Sequence, residues 1–151
     1  MDTLWRYGAS RVRPNQMTEI RLAQGLQRTG PLDVEAVLLQ AVQGGFSAFV
    51  LPAKGIVDQA SFFDAMRATF PLDPPVRGSH SWDALSDSLW EGLYVHESRR
   101  IAILWPGAHE MANSAATDFE TAIQMLASVA NVLANSEATL GNPKEVAILV
   151  E

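Results

Sequence analysis

The sequence predicts an α/β protein: a small three-stranded parallel β-sheet packed with helices, preceded by an N-terminal helical extension. Three observations carry this expectation. Short apolar runs at Phe46–Leu51 (FSAFVL), Arg100–Trp105 (RIAILW) and Glu145–Val150 (EVAILV) read as buried strands. Amphipathic stretches with helical spacing separate them, giving the order β-α-α-β-α-β. Each pair of strands is joined by enough helix for a crossover, so the strands run parallel with right-handed connections.

Residues 1–45 read as the extension, with one or two short helices. The first of these is weakly patterned, near Thr18–Gln27. The second starts at Asp33, a helix-capping residue. Val34, Val37, Leu38, Ala41 and Val42 then form an apolar stripe that Gly44-Gly45 stops. Residues 46–151 read as the α/β domain. After the first strand, Asp58–Phe70 is a helix with Phe62, Phe63, Met66 and Phe70 on one face, ended by Pro71. A proline-stiffened loop, PLDPPVRGSH, leads into a second helix from about Ser81 to Gly92. The strand Arg100–Trp105 stops at Pro106-Gly107. A long helix follows, roughly Ala116–Asn135, and a loop over Ser136–Pro143 precedes the last strand.

The chain has 151 residues, 48% of them hydrophobic, enough for one domain with a core. It has no Cys, which excludes disulfides and thiolate metal sites. The N-terminal stretch MDTLWRYGASRVRP has no apolar segment of a secretory signal, and no apolar run approaches membrane-spanning length, so a cytoplasmic protein is expected. The net charge of −6 is uneven: residues 1–45 carry +1 and residues 46–151 carry −7. An acidic body argues against direct nucleic-acid binding, which calls for a basic stripe; it either does no more than keep the protein soluble or attracts a basic protein partner.

The second helix carries the clearest candidate site. Trp82, Leu85, Leu89 and Leu93 share its core face. Asp83, Asp87 and Glu91 form a row at spacings of four on the other side, where like charges cost a few tenths of a kcal/mol per pair. Ser81 caps the helix, and Asp83 in the first turn is favoured by the helix dipole. Asp87 and Glu91 have no such local reason; they read either as an ordinary solvated helix face or as a rigid carboxylate patch for Arg and Lys of a partner. Ser86 and Trp90 lie along the border of the row, and Trp90 reads equally as an aromatic anchor or as a core tryptophan on a broad apolar face. The histidines His80, His96 and His109 are isolated in sequence, so neither a metal site nor a cofactor is expected. A small hydrolase built on Asp83, Asp87 and His80 is the weakest of the readings, and the chain is not expected to be an enzyme.

Residues from about Phe46 onward resemble the barstar family of ribonuclease inhibitors. The likeness rests on the order of elements, on the opening FVLPAKGIVDQASFFDAM, and on the segment G-x-x-S-W-D-A-L-x-D-x-L from Gly78 to Leu89. The resemblance implies an inhibitor or immunity protein that blocks the basic active site of a ribonuclease or related toxin with an acidic helix and its preceding loop. Carried over by position, Asp87 is the carboxylate that fills the phosphate site and Asp83 a second acidic contact. Gly78 and Ser81 are loop positions. Arg77, with Val76, stands where the family often has aromatics, and Ser86 replaces an aromatic between the two aspartates. The alternative is a non-inhibitory interaction module on the same fold, self-associating through the N-terminal extension.

Overall fold

The computed structural model describes residues 20–151. In chain order they form β1 (Gly25–Arg28), α1 (Val34–Gln43), β2 (Ser47–Val50), α2 (Gln59–Thr69), α3 (Trp82–Tyr94), β3 (Arg100–Trp105), α4 (Ala108–Ser114), α5 (Ala116–Leu133) and β4 (Glu145–Val150). The sheet order is β1-β4-β3-β2, and every neighbouring pair is parallel.

The strands alternate between two cores, as period-two backbones must. Ile101, Ile103 and Trp105 of β3 and Val146, Ile148 and Val150 of β4 face a large core shared with α2, α3, α4 and α5. Ala102, Leu104, Ala147 and Leu149 face a smaller core closed by Val37 and Ala41 of α1 and by Phe46. Both faces of the central strands are therefore covered, which is why their sequences read as continuous apolar runs. The path from β1 to β2 crosses the sheet in one direction through α1, on the face of Ala102, Leu104, Ala147 and Leu149. The path from β2 through β3 to β4 returns on the opposite face. Reversing direction and face together keeps the same hand of connection throughout.

Caps fix where the first helices begin. Asp33 accepts from the Ala36 N–H at 3.1 Å. Asp58 accepts from the Ser61 N–H at 2.9 Å, while the Asp58 N–H donates to Ser61 Oγ at 3.0 Å, a reciprocal capping box. The Ser61 hydroxyl also donates to the Asp58 carboxylate at 2.7 Å, and this bond first, then the Ser61 N–H, holds the Asp58 carboxyl below its ordinary value of 3.8.

The expected three strands become four. Gly25–Arg28 pairs with Ala147–Val150 of β4, within the segment read from the sequence as a helical extension. The helix expected near Thr18–Gln27 is replaced over its described part by an irregular lead and this strand; residues 18 and 19, like the arm before them, lie outside the described residues. Gln24 sets the register. Its side chain donates to the Ala130 carbonyl at 3.1 Å and accepts from the Val146 N–H at 2.8 Å. At the other end, Arg28 lies over the Phe119 ring at 5.1 Å and 3.8 Å from Glu120. No helix among the described residues is long and apolar enough to cross a membrane.

Candidate functional site

Helix α3 is anchored by the face the sequence assigns to the core. Leu85, Leu89 and Leu93 are fully buried. Trp82 packs edge-on to Phe63 with ring centroids 5.1 Å apart. Ser81 caps the helix, accepting from the Ala84 N–H at 3.2 Å. The loop before it is tied down at several points. Arg67 Nη1 donates to the Val76 carbonyl at 2.8 Å, and Gln59 Nε2 to the His80 carbonyl at 2.7 Å. The Asp73 N–H donates to the Ser88 carbonyl at 3.1 Å, which binds the loop to the middle of α3. Gly78 turns the chain with φ of 66° in open space, so its role is conformational. Gly92 has a different role: a Cβ there would stand 1.8 Å from the Pro71 carbonyl oxygen, so only glycine lets α3 meet the start of the loop.

This anchoring presents the polar side of α3 outward. Asp83 and Asp87 are exposed, and Glu91 is half-buried. Among the described residues no Lys, Arg or His nitrogen lies within 4.0 Å of any of the three carboxylates. Trp90 is half-buried and stacks on Tyr94 with centroids 4.8 Å apart and planes 16° from parallel. Tyr94 in turn donates its hydroxyl to the Thr139 carbonyl at 2.9 Å. The Trp90 Nε1–H is buried without a hydrogen-bond acceptor among the described residues, an uncommon condition for a polar group removed from water.

Asp87, Ser86 and Trp90 come together along one cleft of about 230 Å3, whose far wall is Ser128, Val129 and Val132 of α5. Val132 also borders a larger, shallower depression with Asn131, Asn135, Glu137 and Ala138. The smaller cleft lies below the roughly 300–1,000 Å3 typical of small-molecule sites, and is of a size to take a single side chain. The other sequence candidates are placed apart from it. Ser81, Gly78 and Asp83 lie at the start of the helix. Arg77 is exposed and lines a separate cleft with Arg67, Phe70, Pro71, Leu72 and Pro75. His80 lies against Phe63, ring centroids 6.4 Å apart. The sequence does not single out the α5 wall: helical spacing leaves Val129 or Ala130 as the core position there, and nothing in Ser128 or Val132 reveals that α5 flanks α3. Among the described residues no three His, Asp or Glu side chains gather as a metal site.

A four-stranded parallel sheet with helices packed on both faces defines an α/β protein. A family model described as Barstar (barnase inhibitor) matches residues 46–142, and the chain belongs to this family. No curated protein and no solved structure matches the chain.

Proposed function

We propose that the protein is a non-catalytic inhibitor that occupies the basic active site of a ribonuclease or related toxin with α3, acting as an immunity protein in the cytoplasm. One observation supports this above the others: Asp87 stands exposed on a helix fixed from behind by three fully buried leucines, beside a cleft that Trp90 and α5 complete. A carboxylate held this way needs little reorganisation to pair with an arginine, and such charge-assisted pairs are strong when bidentate. Asp83 and Glu91 extend the negative field along the helix and speed encounter with a basic partner. Gly78 and Ser81 shape the approach, and Arg77, Ser86 and Trp90 set which partner fits.

The test is inhibition of RNA cleavage by basic, barnase-type ribonucleases, with affinity measured by calorimetry. Asp87→Ala is expected to weaken the complex by about 2–5 kcal/mol, the range for truncating one member of a buried charge pair at an interface, with an unchanged circular dichroism spectrum. The on-rate is expected to fall as salt rises. If Asp83→Ala and Asp87→Ala bind every nuclease tested as tightly as the parent, the reading is wrong.

A second reading, a non-inhibitory module that self-associates through its N-terminal part, draws support from α1. Leu39 and Val42 on its outer side are 60% and 74% exposed, an unusual pair of apolar side chains to leave in water. Sedimentation of the parent against Leu39→Lys/Val42→Lys separates the two. A dimer lost on substitution favours the module, and a monomer in both cases removes it.

A further inference from the structure

A second cleft lies at the end of the sheet where β3 and β4 begin. It measures about 300 Å3 and is lined by Tyr94, His96, Glu97, Arg99, Asn142 and Lys144. Lys144 is the unusual member, being only 7% exposed. Its Nζ donates to the carbonyls of His96 and of Ser98, the latter at 2.7 Å. An ammonium has three donors, and the third finds no acceptor among the described residues. No carboxylate among those residues comes within 4.0 Å of it. Buried charges are ordinarily paired, because desolvation is otherwise uncompensated. Here burial, and then the nearby Arg99 cation, push the Lys144 pKa below its ordinary value.

The other groups lining the cleft add donors. His96 Nδ1 accepts from the Ser98 N–H at 3.0 Å, so in the neutral ring the proton sits on Nε2. Arg99 is exposed and contributes its guanidinium, and Asn142 an amide. Glu97 is the one opposing charge in the lining, and it too is exposed.

We propose that this cleft binds a small phosphate-type oxyanion, held by Lys144 Nζ, the Arg99 guanidinium and His96 Nε2–H. The anion supplies the missing acceptor and the counter-charge for two neighbouring cations, and donors arriving from three residues match an oxyanion with several acceptor oxygens. The cleft is at the lower limit for small-molecule sites, which fits an ion rather than a nucleotide. Lys144 and Arg99 outnumber Glu97 in its lining, so it selects a ligand of opposite charge to the one the carboxylate row of α3 would take.

The test is an NMR titration of the full chain with sodium phosphate at constant pH and ionic strength, with chloride and acetate as comparisons. Saturable shifts are expected for the amides of His96, Ser98, Arg99, Asn142 and Lys144. Arg99→Gln keeps the backbone carbonyl that accepts from the Glu145 N–H at 2.9 Å and removes only an exposed charge, so the variant folds. It is expected to weaken phosphate about fivefold, and Glu97→Gln to strengthen it about twofold, the scale of exposed charge pairs. Shifts that never saturate, that chloride reproduces, or that both variants leave unaltered would show ionic atmosphere alone and overturn the proposal.

Discussion

Replacing Gly92 with alanine sets two effects against each other, and the structure decides which wins. In an exposed helix interior the substitution gains roughly 1 kcal/mol, because glycine gives up more backbone freedom than alanine. In α3 the new methyl carbon would lie 1.8 Å from the Pro71 carbonyl oxygen and 2.8 Å from its carbonyl carbon. The obstacle is backbone, so no rotamer change relieves it. Either α3 or the Pro71 turn must move by more than 1 Å, on the order of a third of a normal contact distance. Overpacking of this kind costs about 1–3 kcal/mol, occasionally more. An approach of 1.8 Å to backbone belongs in the upper part of that range, about 2–3 kcal/mol, so after crediting the propensity gain a net loss of about 1–2 kcal/mol is expected for Gly92→Ala. For a chain of this length that lowers Tm by roughly 2–8 °C. The strain also acts on the loop that the Asp73 N–H ties to the Ser88 carbonyl, so amide exchange should accelerate from Leu72 to Ser79. Urea denaturation read by tryptophan fluorescence measures the stability. A variant as stable as the parent, or more so, would refute the close-approach argument.

Further outcomes can be checked with the same methods. Asp58 has a folded-state pKa below 3.8, so its contribution is fully present above that value and is lost as pH falls through the folded one. Asp58→Asn should therefore lower stability near neutral pH and flatten its acid dependence below about pH 4, the range in which a free aspartate titrates. Lys144 has the opposite sign: its pKa is lowered from 10.5, so the unfolded chain binds the extra proton and stability rises as pH climbs toward that value, a slope that Lys144→Met should remove. Leu89→Ala, at a fully buried site, should cost about 2–5 kcal/mol, visible as a lower urea midpoint. A chain beginning at residue 46 loses β1 from the edge of β4 and the cover of α1 over Ala147 and Leu149. It should self-associate in sedimentation, since an unpaired strand edge beside bare apolar surface invites pairing; a well-folded monomer would show that residues 1–45 are dispensable.

Strands β3 and β4 are legible to the residue because both of their faces are apolar and proline, glycine or charge bounds them. Strand β1 is not. Gly-Leu-Gln-Arg carries one apolar side chain, and it becomes a strand through the edge that β4 offers and the two bonds of Gln24. Helix α4 is equally silent: its N-cap, Gly107, makes no side-chain cap bond, and the preceding proline and glycine read as a stop. In α3 the buried leucines announce which way Asp87 points, because that direction follows from helical period alone. The cleft beside it does not follow, since Ser128, Val129 and Val132 reach it only through the packing of α5 against α3. Arg77 shows the same limit. Close to Asp87 in sequence, it is directed into a different cleft by the path of the proline loop.

Strand β4 sits inside the sheet between β1 and β3, yet it comes after both in the chain. During translation three strands leave the ribosome with an empty slot between them, and only the last-made strand can close it. Helix α5, which packs on β4 and walls the Trp90 cleft, has no finished floor until then. Such late, long-range closure makes folding slow compared with a chain of local contacts. The acidic surface thus acquires its final shape only after Val150 has emerged, and a truncated nascent product would carry the carboxylates of α3 without the rigid frame that aims them.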